Sequence, residues 1–139
     1  MKNIEMCSSM LDQASFRLKT AKQAMEDGHF AYVVRCSQEC VELSLKASLR
    51  LLGIEYPKKH DVSRILLLNR SRFPEWFPVD EFAKVSRVLA EKREPAVYGD
   101  ELRLIPSSTL FDKGQAEDAL KSAEKVYSFC LRLCESVKG

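Results

Sequence analysis

Apolar residues recur along this chain at intervals of three and four, and no segment of useful length alternates with period two. That is the spacing of helices packed by one face. Residues 4 to 26 set Cys7, Leu11, Ala14, Leu18, Ala21 and Met25 on one stripe. Asp27-Gly28 ends this run, and Gly28 suits a left-handed cap. Residues 30 to 52 show a different pattern. Arg35, Glu39, Glu42, Lys46 and Arg50 fall in one narrow polar sector, and most other positions are apolar. A helix this apolar is buried on most sides, so it belongs at the centre of a bundle.

Beyond Gly53, the pattern is broken by IEYPKKHD, in which Pro57 marks a turn. Asp61 is suited to cap a short helix over 62–69. The segment RFPEWFP reads as an aromatic connector. Asp80 is suited to cap a fourth helix, with Phe82, Val85 and Leu89 inward, running to about Arg93 before Pro95 interrupts it. Residues 96–113 read as a long loop. A last helix over 115–137 turns Ala116, Ala119, Leu120, Ala123, Val126, Tyr127, Cys130, Leu133, Cys134 and Val137 to one side. The pattern predicts an all-α fold: an up-and-down helical bundle of four long helices plus one short helix, in a single domain over 1–139.

Composition narrows the function classes only a little. The 139 residues carry 22 basic and 20 acidic side chains, a net charge of +2, so nothing global calls for nucleic acid. The sequence has no signal-like or membrane-spanning apolar stretch, which points to a cytoplasmic protein with no membrane partner. Five cysteines are an odd number for a disulfide framework. Cys36/Cys40 and Cys130/Cys134 are i,i+4 pairs, and four thiols on two helices are a conceivable zinc site. They lack the close loop spacing of structural zinc sites and sit beside apolar positions, so they are read as buried small hydrophobes. No metal and no cofactor is expected.

Several polar groups invite a chemical role. His60 lies among Lys58, Lys59 and Asp61; the simpler reading is that it bonds a neighbour at a helix start while Asp61 caps. The stripe Arg35, Glu39, Glu42, Lys46 is a polar seam, read as a solvated face or a contact surface. Lys58, Lys59, Arg64, Arg70 and Arg72 form a locally basic region, read as mixed surface charge rather than a phosphate site. Phe73, Trp76 and Phe77 are expected to pack over one end of the bundle.

The segment AYVVRCSQECVELSLKASLRLLGIEYPKKHDV resembles the signature of the HEPN family. Glu42, Lys46 and Ala47, then Gly53, Pro57, and the His60-Asp61 pair stand in its order, with Gly28 and Phe30 before them and Arg93, Tyr98 and Gly99 after. The resemblance covers most of the chain and looks closest to small stand-alone prokaryotic and archaeal members. It implies a helical bundle that commonly forms homodimers, often encoded beside a minimal nucleotidyltransferase in toxin–antitoxin pairs. It also implies an RNA-cleaving activity in members that carry an arginine followed, four to six residues on, by histidine. In that chemistry the guanidinium holds a phosphate and the imidazole moves a proton. Here the motif is broken. Tyr98 stands where the histidine belongs, and the only histidines are His29 and His60. The resemblance therefore implies a binding module more than a nuclease. Arg93, Tyr98, Lys58, Lys59 and His60 are its candidate contacts for nucleotide or RNA phosphate. Arg93 and Tyr98, or His60 brought in from elsewhere, are the residues of an alternative, atypical RNA endonuclease. A further reading is that Arg93 and Tyr98 only brace a helix end and its loop.

Overall fold

The computed structural model describes residues 2–138, so Met1 and Gly139 of the expected domain lie outside the described residues. Six α-helices follow in order, α1 (Lys2–Glu26), α2 (Phe30–Leu51), α3 (Ser63–Leu68), α4 (Val79–Tyr98), α5 (Ser107–Leu110) and α6 (Lys113–Lys138), with a 3-10 turn at Arg70–Arg72 between α3 and α4. Four are long and form the expected bundle. The chain turns between α1 and α2 at Gly28, whose φ of +78° is open to glycine without a Cβ penalty. The His29 N–H then reaches back to the Ala24 carbonyl at 2.9 Å.

α2 is the central helix. It packs against α1, α4 and α6, and Val33, Val34, Cys40, Leu45 and Leu49 on it are fully buried. Burial on that scale contributes roughly 1.5–3 kcal/mol per large aliphatic side chain. The expected inward stripes of α1 and α6 are buried too, with two differences. Ala24, not Met25, takes the deep position near the end of α1, and Val137 is 48% exposed. All five thiols are buried and free. Burial, with the neighbouring Cys134, pushes Cys7 up to about 12, and burial likewise pushes Cys40 up to about 12.

Helix ends depart from expectation in several places. Pro95 does not end α4, which continues to Tyr98. A proline removes one N–H, and its lost acceptor is the carbonyl of exposed Glu91, where water can substitute. The next turn closes regardless, with the Gly99 N–H on the Pro95 carbonyl at 2.9 Å. Asp80 is not the cap of α4. Pro78 precedes the helix, no side chain caps it, and the Pro78 carbonyl accepts the first bond from Phe82 at 3.0 Å. Asp80 lies in the first turn, where its charge suits the helix dipole, and pairs with Arg70. The expected loop over 96–113 contains the one-turn helix α5 and a bridge in which Asp100 and Ile105 exchange backbone bonds at 2.8 and 3.0 Å.

Asp61 is not the cap of α3, whose cap position is Val62; it stands one residue earlier and accepts from the Ser63 N–H at 2.8 Å across the helix start. Ser86 on α4 completes the joint. Its hydroxyl donates to the same carboxylate oxygen at 3.2 Å and accepts from the Val62 N–H at 3.0 Å. At the start of α4 the aromatic connector closes the bundle. Phe73 stacks on Phe77 at 4.8 Å, Phe77 meets Phe82 edge-on at 5.3 Å, and Phe82 meets Phe129 at 5.6 Å. Trp76 lies against Phe129, with the Arg132 guanidinium 4.0 Å from its ring centre. No helix among the described residues is long and apolar enough to cross a membrane.

Candidate functional site

From Glu39 onward the polar seam of α2 is not a solvated face, while Arg35 at its start is 40% exposed. The side chains of Glu39, Glu42 and Lys46 are only 20%, 17% and 13% exposed. Three elements cover the seam. α1 brings Arg17, α4 brings Arg93, and the connection before α3 brings Tyr56 and His60. A long side chain on a central helix cannot escape to water on a face that neighbours approach, so its charge must be met where it stands.

Two carboxylates organise the seam. Glu39 receives three guanidinium groups: Arg17 at 2.9 Å, Arg93 at 2.9 Å and Arg35, one turn away on α2, at 3.5 Å. Burial alone would raise its carboxyl. The bond from Arg93, and the charges of Arg93, Arg17 and Arg35, outweigh that and hold it below the ordinary value. Glu42 accepts from Lys46 Nζ at 2.8 Å and Gln38 Nε2 at 2.9 Å, and its Oε1 is 2.7 Å from His60 Nδ1. Burial would raise this carboxyl as well, and the bonds from Lys46, Gln38 and His60 bring it below the ordinary value. An ionised carboxylate can only accept, so His60 Nδ1 carries a proton towards it, and in the uncharged form of the ring Nε2 is the acceptor. Beyond Glu42, the Tyr56 ring covers Lys46 and Arg50, whose charges lie 5.4 and 5.1 Å from its centre.

Gln38 joins the two clusters. It is 2% exposed. Its Oε1 accepts from Arg93 Nη1 at 2.8 Å while its Nε2 donates to Glu42. A continuous chain therefore runs Arg17–Glu39–Arg93–Gln38–Glu42–His60. Nothing in the sequence reading marked Gln38 or Arg17. The one signal for Gln38 was its place one turn before Glu42, the spacing at which a glutamine bonds an acid on a helix.

Arg93 and His60, which stand 33 positions apart in sequence, line one cleft of about 390 Å³ with Arg35, Glu94, Val97 and Tyr98. A second hollow of about 310 Å³ adjoins it across Arg35 and Val97, lined by His29, Phe30, Tyr32, Ser107 and Ser108 among others. Arg93 bonds α2 through Nη1 alone, so Nε and Nη2 make no hydrogen bond to the described residues. Tyr98 is 65% exposed at the rim. Lys58 and Lys59 are exposed but line neither hollow. Of the basic region, Arg70 is occupied by Asp80 and Arg72 donates to the Leu52 carbonyl. Thus Arg93, Tyr98, His60 and Arg35 come together, and the two lysines do not join them.

Comparison with known proteins agrees with this architecture. TT1696 from Thermus thermophilus superposes with a TM-score of 0.74 at 22% identity, covering 91% of this chain and 97% of that one. ST0689, an archaeal HEPN homologue, superposes with a TM-score of 0.70 at 19% identity, covering 92% and 97%. At these identities the likeness concerns the fold. No curated protein matches the sequence. Residues 7–133 match the HEPN domain, nearly the whole bundle and all of the cleft. The chain belongs to the HEPN domain family.

Proposed function

We propose that this HEPN protein is a non-catalytic binding module that takes the phosphate of a nucleotide or RNA in the Arg93 cleft. In this reading it acts as a homodimer beside a minimal nucleotidyltransferase, as one half of a toxin–antitoxin-type pair. One observation carries the ligand assignment: a single carboxylate, Glu39, is shared by three arginines, two of which line the cleft. Glu39 and Glu94 set two negative charges against three arginines, a net +1 across the cluster. A guanidinium already oriented by Gln38 and Glu39 has little left to lose in gripping a phosphate. The adjoining hollow over Tyr32 and Phe30 supplies an aromatic wall for a base or sugar. Titration calorimetry with ATP and with a short RNA tests this, using wild type and Arg93→Ala. The expected result is binding that weakens at least tenfold in the variant. Equal binding by both proteins, or none by wild type, overturns the ligand assignment. Co-purification with a co-expressed nucleotidyltransferase tests the partner.

A second reading, an RNA endonuclease with an atypical site, is favoured by one feature. His60 lines the same cleft as Arg93, with Glu42 on Nδ1 and Nε2 directed away from that bond. A carboxylate-oriented imidazole is a competent general base. In this reading Nε2 takes the proton of a ribose 2′-hydroxyl, that oxygen attacks the neighbouring phosphorus to close a 2′,3′-cyclic phosphate, and the 5′-oxygen leaves as a hydroxyl with a proton from water. RNA cleavage lost in both His60→Ala and Arg93→Ala supports it; cleavage unchanged in His60→Ala removes it.

A further inference from the structure

The chain that leaves α4 holds two leucines in water. Leu102 is 98% exposed and Leu104 87%. This is not slack chain. The Asp100–Ile105 bridge ties the base of the turn, and Asp100 Oδ1 accepts from the Arg103 N–H at 3.1 Å. Leu104 has a φ of +57°, a left-handed conformation that side chains such as leucine rarely adopt. Gly99 fits its place only because it lacks a Cβ, which would lie 2.2 Å from the Ile105 carbonyl oxygen. A turn fastened this firmly, with its apolar side chains outward, presents them to something.

The same chain carries a receptor of matching chemistry. Between α4 and α6 lies a groove of about 190 Å³ with an apolar floor of Val85, Val88, Leu89 and Ala119. Lys84, Lys92 and Asp118 stand on its rim. The turn has Asp100 and Glu101 on one side of its leucines and Arg103 between them. Asp100 and Arg103 pair within the turn at 3.6 Å, so Glu101 is the charge the turn offers to the two lysines of the rim. The leucines of a given chain do not fill its own groove, since they are almost fully exposed.

We infer that the Leu102–Leu104 turn docks into the α4–α6 groove of a second copy of this chain, and that the exchange is mutual. Mutual exchange closes after two copies and leaves no open end. It also fixes the axis. The groove centres near Val88 and the turn leaves α4 at Tyr98, about 15 Å further along the helix at roughly 1.5 Å per residue. Antiparallel α4 helices exchanging these features have their two-fold midway, beside Arg93. The inference rests on the dimer of the proposed function and names its contact surfaces.

Sedimentation of the full-length protein tests it. Wild type is expected to be dimeric. Leu102→Glu with Leu104→Glu, and separately Val88→Glu, are expected to raise the dissociation constant at least tenfold with unchanged helical circular dichroism. The two leucines are almost fully exposed in the monomer, so their replacement removes little of its packing. Lys92→Glu is expected to weaken association and Glu101→Lys, added to it, to restore it. Mixed Leu102→Cys and Val88→Cys proteins are expected to form a disulfide across copies. A dimeric wild type that persists in the double leucine variant overturns these surfaces and leaves the dimer standing. A monomeric wild type removes the dimer and these surfaces together, while nucleotide binding is judged by its own titration.

Discussion

The two ends of α4 are built on opposite terms. At Val79 the helix begins among aromatics, and Phe73, Phe77 and Phe82 are turned inward until the bundle end is sealed. At Tyr98 the same helix ends with a phenol and two leucines in water and a half-buried arginine tied to α2. The first end uses apolar area to hold the fold. The second gives up that area, holds a leucine in a left-handed conformation, and keeps charges in a cleft. The difference separates what stabilises this protein from what it offers to other molecules.

The largest effect that tests the contrast is at the sealed end. Phe82→Ala removes a fully buried ring at the centre of the aromatic set, and is expected to cost about 3–5 kcal/mol in urea denaturation. A loss no larger than that of Leu102→Ala would break the contrast outright. Gln38→Ala comes next. It takes one of two acceptors from Arg93 Nη1 and one of three partners from Glu42 and is expected to cost about 1–3 kcal/mol, together with weaker ATP binding in calorimetry. Gly99→Ala drives a Cβ into the Ile105 carbonyl. The expected cost is about 1–3 kcal/mol, with faster amide exchange around residues 99–105 while the aromatic end is unchanged.

Acid separates the two ends by another route. The carboxyls of Glu39 and Glu42 sit below their ordinary value of 4.5 in the folded protein. Their contribution to stability is therefore complete above that value and is lost as pH falls through the lower folded values. Glu39→Gln with Glu42→Gln is expected to flatten that acid limb, read as the urea midpoint against pH, and Phe82→Ala is expected to shift the curve without changing its slope. The smallest effect is a gain. Leu104→Asn accepts the left-handed φ more readily and is expected to add about 0.5 kcal/mol to the monomer while weakening association.

Most of the bundle could be read from the chain because helical spacing needs only near neighbours. Cys7 to Ala21 and Val33 to Leu49 sort themselves by period alone. What escaped was decided by contacts across the fold. Pro95 reads as a stop, yet the helix ran one turn further because the acceptor it abandons faces water. Asp80 reads as a cap, but Pro78 begins the helix first. The polar seam reads as a solvated stripe because periodicity does not say which neighbour will cover it. His60 is far from Arg93 in sequence, and only the return of the chain across α2 sets it in the Arg93 cleft. Spacing alone does not mark Gln38, whose part depends on Arg93 and Glu42 lying on either side of it.

That amide can face only one way. Its oxygen answers a cation and its nitrogen an anion, so turning it end for end sets like against like on both sides. Replacing Arg93 alone, or Glu42 alone, leaves half of a dry amide unanswered. Relatives that carry something else at these three positions are therefore expected to have changed them as a set, by a path that crosses a weakened ancestor.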